Sequence, residues 1–300
     1  MERLHSVLSE AQSRLIANPS PDIIDWLAKE LGTTYDEASS TGQLSEFRAS
    51  CRSHPLSEVF LLDPYSRRAH DKPRGYAGDA VMLDYIYRPT PGQLDGMASI
   101  VHRATTSLPN AKSILWRRDY LAGLIHDYMG SRECAEVLSV ASGHMRELDA
   151  LREATTDTNV RFSVLDQDET SIAESKGEYS EFTIEGRVAS FAALIKERRP
   201  AASYDLIYSA GLFDYLPKAP AVALIKAMFA RLKSGGMLSV GNFTRDSHGR
   251  GFMAGFMDWC LIYRDEDDMR ALAEAACPKA SYKIFRDQPR NVVYLEVYAD

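Results

Sequence analysis

Cysteine is scarce: four residues in 300, at Cys51, Cys134, Cys260 and Cys277, none at Cys-x-x-Cys spacing and none clustered with the histidines. That pattern argues against a thiolate zinc site and against a disulfide framework, and it leaves reduced thiols in a cytoplasmic setting as the expected state, with no metal expected. Long apolar runs are missing too. No stretch approaches the roughly 20 residues of a membrane span, and residues Met1 to Ser6 carry no apolar signal core. Excess positive charge is absent: the net charge of −7 speaks against non-specific nucleic-acid binding. Local basic patches remain at Arg67, Arg68, Lys72 and Arg74, and at Arg117 and Arg118. There is no internal repeat and no low-complexity tract. The partner expected is a small molecule, with no nucleic acid and no membrane span; the oligomeric state, a homodimer included, stays open.

What is present is an ordinary globular composition, 45% hydrophobic and 26% charged, in a chain long enough for a core plus a smaller domain. Residues 1–110 read as mostly helical. Ile23, Ile24, Leu27 and Leu31 share one face of a helix that starts near Pro21 and Asp22 and stops at Gly32. Asp63 to Asp79 is dense in Pro, Gly, Tyr and charge and reads as a decorated loop, followed by a helix from Ala80 to Tyr87. Ala111 to Met129 is an amphipathic helix. Beyond it strands and helices alternate. Strands are predicted at Val137–Val140, Arg161–Leu165, Phe182–Ala189, Tyr204–Tyr208 and Met237–Phe243. Helices are predicted at Ala219–Leu232, stopped by Ser234-Gly235-Gly236, and at Asp265–Ala276. Two last strands, Ala280–Phe285 and Asn291–Tyr298, are joined too tightly to be parallel and form an antiparallel hairpin. The fold class is α/β: a Rossmann-like seven-stranded sheet with a terminal antiparallel hairpin, residues 111–300, preceded by a helical lid or substrate domain, residues 1–110.

The most informative segment runs from Glu136 to Glu147: a strand, a turn at Gly143 and a helix start. Asp166 ends the next strand 23 residues after Gly143, near the roughly 20 expected between a nucleotide-binding turn and the acid that meets ribose hydroxyls. A dinucleotide fingerprint needs three glycines, and here Ala141 and Met145 flank a single one. A pyrophosphate has poor clearance over such a turn; a nucleoside without phosphate is less demanding, and S-adenosylmethionine fits that description.

Four segments carry a resemblance to class I S-adenosylmethionine-dependent methyltransferases: Val137–Glu147, Val164–Asp168, Tyr204–Pro217 and Arg231–Val240. A narrower resemblance, on Lys72–Asp79, Ser139–Glu147, Gly241 to Phe243 and Trp259 to Arg264, is to a bacterial subgroup associated with 3-hydroxypalmitic acid methyl ester biosynthesis, which implies carboxyl O-methylation of a fatty acid. The chain departs from the family at Ser139, where an acid is common, and at Ala141 and Met145, where glycines are common. The resemblance implies cofactor contacts from Ala141, Gly143, His144, Asp166, Gln167, Ser190, Phe191, Ser209, Gly211 and Phe213. Arg117 or Arg118 is expected to hold the methionine carboxylate, a carbonyl near Ala141 the ammonium, and Tyr76 to close over the cofactor.

Asp214 and Tyr215 are expected near the reacting methyl, and His248 is the general-base candidate. Asn242, Arg250, Trp259 and Arg264 are candidates for the substrate pocket, with Asp258, Tyr263, His70 and Arg74 behind them. Asp79 reads equally as a helix cap. Two other classes stay open: an NAD(P)-dependent oxidoreductase, and a non-catalytic cofactor-binding protein of the same fold.

Overall fold

A computed structural model describes residues 1–89, 91–197 and 201–300. In chain order the helices are α1 (Glu2–Ala17), α2 (Pro21–Ser40), α3 (Leu44–Ser53), α4 (Leu56–Phe60), α5 (Pro64–Asp71), α6 (Ala80–Tyr87), α7 (Gly96–Thr105) and α8 (Pro109–Ser131). Then follow β1 (Ala135–Val140), α9 (Glu147–Ala154), β2 (Val160–Asp166), α10 (Glu169–Glu178), β3 (Thr183–Val188), α11 (Ala192–Lys196) and β4 (Tyr204–Ser209). The chain ends with α12 (Lys218–Phe229), β5 (Leu232–Phe243), α13 (Arg250–Phe256), α14 (Glu266–Ala276), β6 (Ser281–Arg286) and β7 (Val292–Tyr298). No helix among the described residues is long and apolar enough to cross a membrane.

The chain forms two compact units, Met1–Leu115 with Asp246–Cys260, and Trp116–Arg245 with Leu261–Asp300. Residues 246–260 fall within the range that the sequence assigns to the core, so the division expected at 110 omits this return of the chain.

In the helical unit, α13 explains the return. Phe252 and Phe256 are fully buried and meet Phe60 edge-on, with ring centroids 5.0 and 4.7 Å away. Gly251 and Gly255 put the α13 backbone directly on α2 and α3: a Cβ at 251 would lie 2.2 Å from the Leu31 carbonyl oxygen, and one at 255 would lie 2.8 Å from the Cys51 sulfur. Two local expectations are corrected here. Gly32 does not stop α2, which continues to Ser40; its missing side chain leaves room for the Arg250 guanidinium, whose Nη1 would stand 3.4 Å from a Cβ. And half of the decorated loop is helix. Asp63 accepts from the backbone N–H groups of Tyr65 and Ser66 and Pro64 fills the first turn, so α5 forms. The loop proper is 72–79, with left-handed glycines at Gly75 and Gly78. Asp79 caps α6 through the Met82 N–H at 2.8 Å.

In the other unit the strand order is β3-β2-β1-β4-β5-β7-β6. The first five strands are parallel and β7 runs antiparallel between β5 and β6. Parallel strands buried on both faces read as near-continuous apolar runs, and alternate residues supply the two cores. Leu138, Val140, Leu165, Ile207 and Leu238 pack under α11, α12 and α14. Val137, Phe162, Val164, Leu206 and Tyr208 pack under α8, α9 and α10. β5 starts earlier than predicted. α12 ends at Phe229, and Ser234 to Gly236 lie inside the strand, where the register with β4 shifts between Tyr204 and Leu206.

Candidate functional site

Strand order reverses between β1 and β4, and in open parallel sheets ligands bind at the carboxyl ends of the strands beside such a switch point. The residues there are Ala141 to Glu147 after β1 and Ser209 to Gly211 at the end of β4.

The turn after β1 is built with one glycine at its three left-handed positions. Ala141, Gly143 and Met145 all take left-handed backbone angles, with φ of 55°, 55° and 52°. Only Gly143 does so without a Cβ penalty. Asp166 locks the turn: it is 6% exposed, its Oδ2 accepts from the Gly143 N–H at 2.8 Å and its Oδ1 from the Asp168 N–H at 2.9 Å. The Ser175 hydroxyl donates to the Gly143 carbonyl at 3.1 Å, and the Ser209 hydroxyl bridges the switch point to the Val140 carbonyl at 2.8 Å. Strain at Ala141 gives a test. Ala141→Val, β-branched at positive φ, is expected to lower stability by about 1–3 kcal/mol, whereas Ala141→Gly changes it by less than about 1 kcal/mol. Urea unfolding midpoints compare the two directly, and equal stability of all three chains would contradict the backbone geometry.

Around this turn the structure gathers several of the expected residues. The Arg117 guanidinium, 7% exposed, donates to the Ala210 carbonyl at 2.7 Å, and a Cβ at Gly211 would lie 3.2 Å from its Nη1. His144 is buried beside Arg146, whose Nη2 is 3.4 Å from the ring Nδ1. Gln167 and Ser190 are exposed and Phe191 is half-buried at the start of α11. Two residues that the sequence pattern does not single out, Glu147 and Tyr208, join the turn. Glu147 is buried at the start of α9 and accepts a hydrogen bond from the Tyr208 hydroxyl. Burial pushes its carboxyl above the usual range, against the opposing pull of Tyr208, Arg117 and Arg146. The signal was an acid directly after the turn.

Four candidates do other work. Phe213 is fully buried in the core under α12. Arg264, expected to face an acceptor, donates instead to the carbonyls of Phe213 and Leu216 and to the Asn242 side chain. Asn242 is wholly buried and donates to the Phe243 and Ile262 carbonyls at 2.9 and 2.8 Å. Together they clamp the short helix Phe213–Tyr215 to the end of β5. Asp214 completes the clamp by accepting from the Phe243 N–H at 2.7 Å; Tyr215 beside it is half-buried.

Burial raises the Asp214 carboxyl to about 6, although the Phe243 N–H, Arg117 and Arg264 pull the other way. A folded-state pKa above the unfolded value of about 3.9 means that the folded state binds the proton more tightly. The contribution is fully present below about pH 4 and is lost as pH rises through about 6. Asp214→Asn is therefore expected to gain stability relative to wild type between pH 4 and 7, by on the order of 3 kcal/mol, in denaturation curves taken across that window. A difference that does not vary with pH would contradict this.

The remaining candidates belong to the helical unit. His248 lies 3.5 Å from Asp25 Oδ1. Desolvation lowers its pKa, partly offset by Asp25. Arg250, expected in a substrate pocket, pairs with Asp36 and donates to the Ser247 carbonyl at 2.8 Å. Trp259 is 4% exposed and packs as core. Asp258 pairs with Arg52 and Lys72. Tyr76 is half-buried in the 72–79 loop. Among the described residues no group of three or more His, Cys, Asp or Glu side chains is placed to hold a metal ion.

No family model matches the chain and no curated protein matches it. Among solved structures it is similar to a possible exported protein from Bordetella parapertussis, at 18% identity over 99% of this chain and 96% of that one, with a TM-score of 0.62. It is also similar to magnesium protoporphyrin IX methyltransferase (ChlM) from Synechocystis PCC 6803 with bound SAH, at 14% identity over 73% and 98% of the two chains and a TM-score of 0.48. A third is Burkholderia thailandensis 1,6-didemethyltoxoflavin-N1-methyltransferase, at 16% identity over 61% and 79%, with a TM-score of 0.45. At 18% identity the likeness to the first of these is one of fold. With five parallel strands, a switch point between β1 and β4, and an antiparallel β7 between β5 and β6, the chain has the fold of the class I S-adenosylmethionine-dependent methyltransferases.

Proposed function

We propose that this protein is an S-adenosylmethionine-dependent methyltransferase acting on a small molecule. The observation that carries the reading is the turn at the switch point, closed by Asp166 onto the Gly143 N–H. A pyrophosphate at such a turn needs free N–H groups, and here the glycine's own N–H is already taken. That counts against the oxidoreductase alternative. A nucleoside without phosphate fits better. Each Asp166 oxygen accepts one backbone bond and keeps a lone pair for a ribose hydroxyl. Arg117 offers a buried guanidinium for a carboxylate, and half-buried Phe191 with exposed Val188 offers apolar surface for a base. When bound, the cofactor supplies an electrophilic methyl on a sulfonium sulfur.

The chain's own part is orientation and exclusion of water. Arg117 and Asp166 fix the two ends of the donor, and the clamped helix Phe213–Tyr215 holds Asp214 and Tyr215 in place. A carboxylate acceptor needs no base. For a hydroxyl, amine or carbon acceptor, His248 with Asp25 beside it is the proposed proton acceptor. The helical residues are the proposed selector of the acceptor, and a cytoplasmic location belongs to the same proposal. Calorimetric titration with S-adenosylmethionine and with NADH tests the reading. Binding of the methyl donor without binding of NADH is expected; the reverse pattern would replace the reading with an oxidoreductase.

A further inference from the structure

We infer that Glu147 is the acid that receives the ammonium of the cofactor's amino-acid end, next to Arg117 for its carboxylate, an inference that rests on the methyl-donor reading above. An α-amino acid carries both charges on one carbon, so a site for it needs an acid and a base close together. The β1–β4 switch point supplies both from separate elements. Arg117 comes from α8 and reaches the Ala210 carbonyl at the end of β4. Glu147 comes from the first turn of α9, is 7% exposed, and lies within the attractive field of Arg117.

Its placement is specified by neighbours. Ser139 on β1 and Tyr208 on β4 are direct register partners, so their side chains leave the sheet on the same face. Ser139 is small and buried, and Tyr208 extends past it to donate its hydroxyl to Glu147 Oε1. The bond that Glu147 accepts there is from a neutral hydroxyl, not a cation. The second guanidinium nearby, Arg146, is directed to Glu174 and to the Tyr179 hydroxyl, at 3.2 and 3.4 Å. A carboxylate this buried is costly unless cations stand by it; Arg117 and Arg146 act on it through their field, and an ammonium at hydrogen-bond distance would pair with it directly. Burial raises the Glu147 carboxyl, in keeping with an acid whose cation arrives with the ligand.

Two probes separate a ligand contact from a fold strut: S-adenosylhomocysteine, and 5′-methylthioadenosine, which keeps the nucleoside thioether and lacks the amino-acid end. Calorimetry on wild type is expected to detect both. Glu147→Gln is expected to bind S-adenosylhomocysteine at least about tenfold more weakly and methylthioadenosine within about twofold of wild type. Glu147→Asp, which keeps the charge but shortens its reach, is expected to weaken only the first probe, and it stands in if the Gln variant does not fold. Equal loss of both probes, or no loss of either, in whichever variant folds, would overturn the assignment and leave Glu147 a structural acid. Failure of wild type to bind either probe would instead overturn the methyl-donor reading, and this inference with it.

Discussion

Asp166→Ala is expected to weaken binding of S-adenosylmethionine at least about tenfold, about 1.4 kcal/mol, and to lower stability at the same time. The two effects have separate causes. The substitution removes the acceptor for the ribose hydroxyls. It also strands the N–H groups of Gly143 and Asp168, both now bonded to the carboxylate at 2.8 and 2.9 Å. An orphaned donor at a half-buried position costs less than the about 1–3 kcal/mol of a fully buried one, but the turn has little slack, since Ala141 and Met145 already sit at positive φ. Denaturant midpoints should fall while the transition stays cooperative, so binding can be measured on folded protein. A variant that is destabilised yet binds the methyl donor as tightly as wild type would leave Asp166 a turn clamp and nothing more.

The second large effect is expected at Gly251→Ala, far in sequence from the turn. The added Cβ would approach the Leu31 carbonyl oxygen to 2.2 Å, its carbon to 2.4 Å and the Gly32 nitrogen to 2.9 Å. All three are backbone atoms inside α2, so no rotamer change relieves the clash and the two helices must part. The cost belongs at the upper end of overpacking, about 3 kcal/mol or more. Gly255→Ala should be milder, because its nearest neighbour is the Cys51 sulfur at 2.8 Å, which can rotate, and the fixed Cys51 Cβ at 3.0 Å needs only a small shift. Thermal melts of the two variants should preserve that order; a Gly251→Ala protein as stable as wild type would remove α13 from its place on α2.

The sheet was legible because its residues announce themselves locally. Strands buried on both faces are mostly apolar, as in Val137 to Val140 with Ser139 its one polar residue, and a link as short as Asp287 to Arg290 permits only an antiparallel hairpin. The illegible parts depend on distance or on backbone shape. Asn242 and Arg264 look like polar residues near a strand end, which is where substrate contacts are sought. Their hydrogen bonds to Phe213, Leu216 and Ile262 are set by the tertiary fold. The same holds for Arg250, spent on Asp36 more than 200 residues away. Gly251 and Gly255, four residues apart in a short apolar stretch, were a readable sign of close helix packing, but not of the partner helix. The missing glycines at 141 and 145 argue for a turn that differs from the family's; the backbone adopts the left-handed shape there regardless and carries the strain.

The central claim is that a nucleoside sits against the Gly143 turn with its ribose on Asp166. A crystal structure of the protein with S-adenosylhomocysteine tests it most directly. Ribose hydroxyls within hydrogen-bond reach of the Asp166 carboxylate, and an amino-acid end directed to Arg117, are expected. A ligand bound elsewhere, or one whose ribose leaves Asp166 bonded to Gly143 and Asp168 alone, would contradict it.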